Sequence, residues 1–215
     1  MKIPVVRNIL EANERIANEH RQLFRQNNLL VLNLMGSPGT GKTSLLEHTI
    51  HYLKGKLRIG VIEGDVQSSV DAERISQAGA ATVQINTGGA CHLEGNMIKA
   101  ALDSINVEET DLLFIENVGN LVCPAEFDLG EDFKVMILSV AEGDDKPEKY
   151  PLMFHEASVL LLNKVDLLPY VDFDIGKIRK VVQSMNPKIK ILEISCRTGE
   201  GLDNWFQWVL DHMKK

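Results

Sequence analysis

Short apolar runs alternate with longer segments of mixed polarity along most of this chain. Seven of the runs have the length of a strand, and several carry apolar side chains at consecutive positions, so that both of their faces are apolar. Strands covered by helices on both faces have this pattern. The predicted strands are 29–35, 57–63, 82–86, 111–116, 134–140, 158–162 and 190–194.

The segments between these strands favour helices. The predicted helices are 42–54, 70–77, 93–104, 174–185 and 202–213. Alternating strands and helices are typical of an α/β domain whose sheet is mainly parallel and is flanked by helices. Ligands of such sheets bind beyond the carboxyl ends of the strands, so functional motifs are expected directly after strands. The acidic cluster at 142–148, which contains Pro147, is interpreted as a loop.

A further helix is predicted before the first strand, over residues 4–26, because apolar residues recur there near one stripe at helical spacing. The stripe contains Val6, Ile9, Leu10, Ile16, Leu23 and Phe24. We predict that this amphipathic helix packs on the body of the protein, as an extension covering residues 1–28. The remaining residues, 29–215, have the length of one domain.

The charge and hydropathy of the chain disfavour nucleic-acid and membrane partners. Lys and Arg number 23 against 30 Asp and Glu, a formal net charge of −7, which disfavours binding to nucleic acid or to an anionic membrane surface. No apolar stretch reaches the ~18 residues that span a bilayer, and the N-terminus lacks the pattern of a secretory signal. We therefore expect a cytoplasmic protein with no nucleic-acid or membrane partner.

A glycine-rich loop follows the first predicted strand. Its sequence, GSPGTGKT, matches the pattern GxxxxGK[S/T] and leads into a predicted helix. In such a loop backbone N–H groups and the helix N-terminus bind phosphates, Lys42 contacts the β- and γ-phosphates and Thr43 offers its hydroxyl to Mg²⁺. The motif predicts a nucleoside triphosphate ligand. The predicted loop residues are Gly36, Ser37, Pro38, Gly39, Thr40, Gly41, Lys42, Thr43 and Ser44.

The tetrapeptide Asn163-Lys164-Val165-Asp166 follows the sixth predicted strand and indicates the base. A carboxylate at Asp166 can accept hydrogen bonds from N1–H and the 2-amino group of guanine, whereas adenine would leave it unpaired. We expect the Lys164 stem to lie along the purine and Asn163 to tie this segment to the phosphate loop. The motif favours GTP and opposes an ATP-using kinase of the P-loop class.

A second base-contacting segment is predicted after the last strand. The sequence SCRTG at 195–199 resembles the loop whose backbone contacts the guanine carbonyl in GTPases. This places Ser195, Cys196 and Arg197 beside the base. Cys196 stands where alanine is usual and is interpreted as a small packing residue.

Two acids at strand ends are candidates for Mg²⁺ binding. Glu116 ends the fourth predicted strand, and Gly119 follows it closely enough to offer a backbone N–H to the γ-phosphate. Asp65 follows the second predicted strand and would bind the Mg²⁺ shell or orient the attacking water. Either acid could instead be a solvated strand end. No glutamine follows Gly119 as in Ras-like GTPases and no arginine finger is evident, so slow intrinsic hydrolysis is expected.

The cysteines indicate a second metal site. In a reducing compartment the three cysteines are expected to be thiols or metal ligands. Cys91 and His92 are adjacent at a predicted helix start, where a thiolate is favoured, and Cys123 lies seven residues after Glu116. Thiolate and imidazole suit Zn²⁺ or Ni²⁺, but three ligands leave a four-ligand site incomplete unless water or a second copy in a two-fold dimer completes it. A buried thiol beside a core histidine is the open alternative.

Together these motifs resemble a known family, the hydrogenase nickel-incorporation GTPases (HypB), in the group of P-loop GTPases that also contains the urease nickel chaperone. The similarity runs from about residue 29 to the C-terminus. IENVGNLVCP and the CHL segment favour this family over the urease type, which carries a Cys-Pro-His motif. The matching segments are GSPGTGKTSLL at 36–46, EGD at 63–65, NTGGACHLEG at 86–95, IENVGNLVCPAEFDLGE at 115–131, GDDKPEKYP at 143–151, NKVDLLPY at 163–170 and SCRTGEG at 195–201.

The resemblance implies a three-layer P-loop NTPase fold, GTP hydrolysis and a GTP-dependent homodimer. It also implies a nickel or zinc site at the dimer interface, made by Cys91, His92 and Cys123, and delivery of nickel to the precursor of the [NiFe]-hydrogenase large subunit with a zinc-containing HypA-like accessory protein. Some members carry an N-terminal Cys-rich or His-rich nickel motif. Here the N-terminal helix has His20 as its one histidine, which leaves the interfacial site as the expected nickel site.

The predicted mechanism is a metal switch controlled by the nucleotide. Because Cys123 follows Glu116 closely, a movement of the Mg²⁺-sensing segment on hydrolysis would reach a metal ligand directly. GTP would favour a closed dimer that holds metal, and GDP would loosen it. The alternatives are a GTP-binding metal-storage or scaffold protein whose hydrolysis is incidental, and a urease-type nickel chaperone.

Overall fold

The computed structural model describes residues 7–65 and 69–213, with side chains from residue 10 onward. Seven strands in this part of the chain form one sheet, and every neighbouring pair is parallel. Their order is β3-β2-β4-β1-β5-β6-β7. The strands are β1 (Leu30–Met35), β2 (Ile59–Asp65), β3 (Ala81–Asn86), β4 (Leu112–Glu116), β5 (Phe133–Ser139), β6 (Val159–Asn163) and β7 (Lys190–Glu193).

All of the predicted strands are confirmed, with ends that differ by no more than two residues, and the sheet is parallel throughout. The helices after β1 are α2 (Lys42–Leu53), α3 (Val70–Ala78), α4 (Gly95–Leu102), α5 (Cys123–Glu126), α6 (Lys146–Lys149), α7 (Pro151–Glu156), α8 (Ile175–Met185) and α9 (Leu202–Asp211). Helices α2, α3, α4, α8 and α9 confirm predictions. Within the described ranges, no helix combines the length and the apolar character needed to cross a membrane.

The acidic cluster at 142–148 was predicted to be a loop, and this prediction is wrong in part. Residues Val140–Glu142 form a 3₁₀ turn, and α6 begins at Lys146. The Ser139 hydroxyl accepts from the Ala141 N–H, while the Glu142 carboxylate accepts from the Ser139 N–H. These reciprocal bonds form a capping box, which starts a helical turn in spite of the local charge.

The sheet is the middle of three layers, which confirms the predicted architecture. On β1, Leu30, Leu32 and Leu34 pack on one side with α2, α3 and α9. Val31 faces the other side, where α1 (Arg7–Gln26) and α4 pack beside α7 and α8. Alternate side chains of a strand point to opposite faces, so a strand covered on both sides is apolar throughout.

The buried face of α1 differs from the predicted stripe. Its buried residues are Asn13, Ala17, His20 and Phe24, whereas Leu10 and Leu23 are 43% and 36% exposed. The polar side chains of Asn13 and His20 can be buried on this face because they form hydrogen bonds to other segments. The Asn13 amide donates to the Asp128 carbonyl and accepts from the Gly95 N–H, each at 2.7 Å. The predicted start at residues 4–6, Val6 included, lies outside the described residues, as does the Ile9 side chain.

The docking of α1 makes stability depend on pH through His20. This side chain is 3% exposed and its Nδ1 lies 3.0 Å from the Leu129 carbonyl. Burial lowers its pKa, Lys99 also lowers it, and the Leu129 carbonyl with Glu19 and Asp128 opposes the shift. Below about pH 6.5 the unfolded chain therefore binds a proton that the folded chain does not, so stability falls as the pH decreases through this range.

We expect His20→Gln to remove this part of the pH dependence, because glutamine can still donate to the Leu129 carbonyl. Its free energy of unfolding in urea should fall less than that of the wild type between pH 7 and pH 5, by up to ~1.4 kcal/mol per pH unit. The matched control is the variant His51→Gln, because His51 is exposed and its ring bonds to the Glu47 carbonyl within α2. Equal slopes for wild type and His20→Gln would contradict the assignment.

Candidate nucleotide and metal sites

The phosphate loop lies between β1 and α2, as the motif predicted. The Thr40 hydroxyl donates to the Ser37 carbonyl at 3.0 Å and closes the turn. Gly41 has a φ of +102°, and a Cβ there would lie 2.4 Å from the Asn163 amide nitrogen. Only glycine combines this backbone conformation with such a close approach. The loop thus turns back under the start of α2, where N–H groups can bind an anion.

Lys42 points back into the loop that precedes it. The side chain is 8% exposed, and its Nζ donates to the Gly36 and Ser37 carbonyls, each at 3.3 Å. Burial lowers the pKa of Lys42, while the nearby Glu116 carboxylate raises it. The loop therefore encloses a fixed cation at the position that the motif gives to the β- and γ-phosphates.

Thr43 and Glu116 form a buried pair beside this cation. The Thr43 hydroxyl donates to Glu116 Oε1 at 2.9 Å, and Oε2 has no hydrogen-bond partner among the described residues. Burial raises the pKa of Glu116 to about 7, against the opposing effects of Lys42 and Thr43. A hydroxyl and a carboxylate are oxygen ligands of the kind that Mg²⁺ prefers. The structure thus brings together two residues that were predicted to hold this ion.

Glu63 completes the acidic group, although its role was not predicted from the sequence. The register of β2 and β4 places Glu63 directly beside Glu116. Glu63 is 3% exposed, and burial, followed by Glu116 and Asp65, raises its pKa to about 8. A cation between these carboxylates would favour their charged forms. An acid at the end of an apolar run was the available signal, but only the register of the strands shows that the two acids meet.

Two adjoining cavities open above these residues. The larger, of about 450 Å³, is lined by Lys42, Thr43, Glu63, Asp65 and Glu116, together with Pro38, Gly39, Gly41, Ser44, Gly64, Asp71, Arg74, Asn117, Val118, Gly119 and Lys164. The smaller, of about 260 Å³, is lined by Gly41, Ser44, Asn163, Lys164, Asp166, Leu167, Cys196 and Arg197. Three residues are common to both linings, so the two cavities adjoin. We name the larger cavity the phosphate end and the smaller the base end of the candidate site, after the groups that were predicted to bind there.

The base end is bonded to the phosphate end. The Asn163 amide donates to the Thr40 carbonyl at 2.7 Å, as predicted, and its oxygen accepts from the Cys196 N–H at 3.2 Å. Lys164, with a φ of +65°, donates from Nζ to the Gly39 carbonyl at 2.7 Å. These bonds fix the distance between the two ends of the site.

The two segments that were predicted to contact the base are also bonded to each other. The Ser195 hydroxyl donates to Asp166 Oδ1 at 2.6 Å, which orients that carboxylate. The Cys196 thiol packs at the edge of the core, and burial raises its pKa to about 11, as suits the packing residue that was predicted. Arg197 lies at the rim of the smaller cavity. The predicted base residues of both segments therefore lie at one end of the site.

The segment after β4 touches the phosphate loop. A Cβ at Gly119 would lie 2.7 Å from Pro38 Cγ and 2.9 Å from Pro38 N, so no larger residue fits here. The next residue, Asn120, donates its N–H to the Gly36 carbonyl at 3.1 Å. The segment that follows Glu116 is thus packed and bonded directly onto the first turn of the phosphate loop.

Cys91, His92 and Cys123 converge at the far end of this segment. One ligand atom from each lies within 4.8 Å of the others, the two sulfur atoms are 3.0 Å apart, and Cys91 Sγ is 3.6 Å from His92 Nδ1. The Cys91 thiol and burial raise the pKa of Cys123, and a bound cation would favour its thiolate form. Two sulfur ligands and an imidazole suit Ni²⁺ or Zn²⁺.

The predicted position of Cys91 and His92 at a helix start is wrong. They lie in the turn before α4, which begins at Gly95, while Cys123 is the first residue of α5. The His92 ring packs on Phe127, with centroids 3.9 Å apart. Cys91 is exposed, so the cluster is open to the surface and can accept a further ligand.

A buried amide, Asn117, fixes the backbone between the two sites, and its role was not predicted from the sequence either. It is 1% exposed, and its oxygen accepts from the Leu93 N–H at 3.1 Å and the Val118 N–H at 3.0 Å. Its nitrogen donates to Asn33 Oδ1 at 3.2 Å, and the Asn33 amide donates in turn to Glu131. The turn that carries His92 is thereby bonded to the end of β4.

Comparison with known proteins agrees with this geometry. Residues 30–193 match a family model described as CobW/HypB/UreG, nucleotide-binding domain. The hydrogenase maturation factor HypB of Escherichia coli K12 is 51% identical over 94% of this chain and 69% of its own length. The probable hydrogenase maturation factor HypB of Methanocaldococcus jannaschii is 40% identical over 99% of this chain and 96% of its own length.

A solved structure shows the same fold. The crystal structure of HypB from Helicobacter pylori in complex with nickel superposes with a TM-score of 0.88 and 38% identity, covering 93% of this chain and 94% of that one. The family model covers most of the chain, and the relatives are similar over almost all of it. The chain therefore belongs to the CobW/HypB/UreG family of nucleotide-binding domains, among the HypB hydrogenase maturation factors.

Proposed function

We propose that this protein is a GTP-hydrolysing metallochaperone that carries Ni²⁺ and assists its insertion into [NiFe]-hydrogenase. The observation that carries the proposal is the convergence of Cys91, His92 and Cys123, with ligand atoms within 4.8 Å of one another, on the segment that leaves the nucleotide cavity. Its relatives are hydrogenase maturation factors, and one of them has been crystallised with nickel. Zn²⁺ suits the same donor set.

Guanine selectivity is proposed for the base end of the site. The carboxylate of Asp166 is oriented by the Ser195 hydroxyl at 2.6 Å, which leaves Oδ2 to accept from the base. Guanine offers N1–H and a 2-amino group to such an acceptor, whereas adenine offers an acceptor at N1. GTP should therefore compete for the site and ATP should not.

Hydrolysis is proposed for the phosphate end. Lys42 would contact the β- and γ-phosphates, Thr43 and Glu116 would hold Mg²⁺, and the Gly119 N–H would meet the γ-phosphate. Asp65 would complete the Mg²⁺ shell or orient the attacking water, and Mg²⁺ would neutralise charge on the phosphates. Glu116 and Glu63 lie side by side, and a divalent cation bound between them would lower the pKa values that burial raises and so favour the charged carboxylates.

A homodimer is proposed because the metal cluster is incomplete among the described residues of one chain. Three ligands fall one short of an ordinary closed site, and Cys91 is exposed. A two-fold axis beside the cluster would supply the same ligands from a second copy. GTP is proposed to favour this dimer. The HypA-like accessory protein and the precursor of the hydrogenase large subunit are the proposed partners in nickel transfer.

The test measures Ni²⁺ and Zn²⁺ affinity and dimerisation with a non-hydrolysable GTP analogue and with GDP. We expect tighter metal binding and more dimer with the analogue. Cys123→Ser and His92→Ala should each weaken metal binding by at least about tenfold, since each removes a ligand. The control is His155→Ala, an exposed histidine of α7.

Two outcomes would overturn parts of the proposal. Unchanged metal binding in Cys123→Ser would place the site elsewhere. Tight metal binding that is equal with both nucleotides would favour the storage or scaffold alternative, in which hydrolysis is incidental.

A further inference from the structure

Asn120 lies where the nucleotide site and the metal cluster meet. Its backbone N–H donates to the Gly36 carbonyl at 3.1 Å, and the two residues form an isolated antiparallel bridge. The same carbonyl accepts from Lys42 Nζ at 3.3 Å. The backbone of Asn120 is therefore bonded to the first residue of the phosphate loop, at the group that also orients its lysine.

The side chain of Asn120 reaches the metal cluster. Its oxygen accepts from the Val122 N–H at 2.8 Å, which fixes the orientation of the amide. Its nitrogen lies 3.4 Å from the Cys91 carbonyl and 3.7 Å from Cys123 Sγ. One amide group thus contacts both of the segments that supply sulfur ligands.

We propose that Asn120 is a positioning residue that transmits the nucleotide state of the phosphate loop to the two thiol ligands. The inference rests on the proposed function, since it concerns how the nucleotide changes metal affinity. An N–H group directed at a thiolate stabilises its charge and fixes its direction, as outer ligands do at metal sites. The contact to Cys123 is long enough that a small shift of the Asn120 backbone makes or breaks it.

The stereochemistry makes this coupling direct. Asparagine has a single carbon between backbone and amide, so its nitrogen must follow any displacement of the Gly36–Asn120 bridge. The neighbouring Asn117 differs, because its amide bonds to the backbone of Leu93 and Val118 and to Asn33. Asn117 stabilises the backbone between the two sites, whereas Asn120 connects the phosphate loop to the ligand atoms.

Thermodynamic linkage adds a consequence. A nucleotide that changes metal affinity through this contact must itself bind with an affinity that depends on the metal.

The test compares one ratio among variants, the Kd for Ni²⁺ with GDP divided by the Kd with a non-hydrolysable GTP analogue. Asn120→Asp keeps the acceptor for Val122 and replaces the donor, and Asn120→Ala removes both groups. We expect a wild-type ratio of at least about five and ratios near one in both variants. The control is Asn96→Ala, an exposed residue of α4 that bonds to Met97.

Further readouts separate coupling from a loss of structure. Both variants should still bind Ni²⁺, because the three ligands remain, and the sulfur-to-nickel charge-transfer absorption should shift as the N–H contact to Cys123 is lost. Guanine nucleotide affinity of the metal-free variants should stay within about threefold of the wild type, because the backbone N–H of residue 120 still donates to the Gly36 carbonyl.

Two results would overturn the inference, and they are distinguishable. Wild-type ratios in both Asn120 variants would remove Asn120 from the coupling and leave the proposed function intact. A ratio of one in the wild type would show that the nucleotide does not change the affinity for Ni²⁺. Both the proposed metal switch and the role of Asn120 would then be wrong. Loss of Ni²⁺ binding in Cys123→Ser tests the metal site separately from either result.

Discussion

Replacing Lys42 with alanine is expected to reduce the rate of GTP hydrolysis by about 10²- to 10³-fold. This corresponds to about 2.7–4 kcal/mol of lost stabilisation of the transition state, as for other preorganised groups that meet developing charge. The Lys42 ammonium is buried and is held inside the phosphate loop by the Gly36 and Ser37 carbonyls, so the substitution removes the cation that the loop itself encloses.

The same substitution should weaken the Mg²⁺ site. Lys42 lowers the pKa of Glu116, which burial otherwise raises. Without the ammonium, this carboxyl group would be protonated over a wider pH range and would bind the cation less well at neutral pH. The loss of activity in Lys42→Ala should therefore be partly relieved at higher pH and higher Mg²⁺ concentration, as phosphate release assays can show.

The matched control is Lys54→Ala, because Lys54 follows α2 at its other end and is exposed. Its hydrolysis should equal that of the wild type. Nickel content of the hydrogenase in cells gives a second readout. If Lys42→Ala abolishes hydrolysis while nickel insertion continues, the GTPase is not required for maturation, and the scaffold alternative is favoured.

Much of the site could be predicted because its residues follow strands directly in the sequence. The phosphate loop, the segment 163–166 and Glu116 each follow an apolar run, and parallel strands bring their carboxyl ends to one edge of the sheet. The grouping of Cys91, His92 and Cys123 could be proposed from ligand chemistry. Their convergence on the segment after Glu116 then followed from the fold.

The roles of the residues that were not predicted depend on contacts between segments that lie far apart in the sequence. Glu63 matters because β2 lies next to β4, which sets it beside Glu116, although β3 separates these strands in the sequence. Asn117 and Asn120 resemble ordinary loop amides until their partners are known. Long-range pairing of this kind has no local pattern in a single sequence.

The helix α1 shows the opposite failure, in which a local pattern was present and gave a partly wrong face. Apolar spacing favoured Leu10 and Leu23, yet Asn13 and His20 are the residues that are buried. Their hydrogen bonds to Asp128, Gly95 and Leu129 offset the cost of burying polar groups. Amphipathic spacing predicts that a helix packs, whereas its partners decide which face is buried.

Replacing Asp166 with asparagine is expected to change the base selectivity of nucleotide binding from guanine to xanthine. The affinity for GTP should fall by about 10²- to 10³-fold, because the amide nitrogen meets the 2-amino group of guanine as donor against donor. Xanthine carries a carbonyl oxygen at this position and keeps N1–H. An asparagine offers one donor and one acceptor to match them, so Asp166→Asn should bind xanthosine triphosphate with an affinity close to that of the wild type for GTP.

The structure makes this exchange a sharp test of the base site. The Ser195 hydroxyl donates to Asp166 Oδ1 at 2.6 Å, and it can donate equally to the asparagine oxygen, whose second lone pair can accept from N1–H while the amide nitrogen donates to the base. Competition against a fluorescent guanine nucleotide measures all three triphosphates, with the exposed Asp172→Asn as control. If Asp166→Asn lost its affinity for GTP without gaining affinity for xanthosine triphosphate, Asp166 would support the loop without contacting the base. If GTP binding were retained, the base would lie outside the smaller cavity, and guanine selectivity could not be assigned to this end of the site.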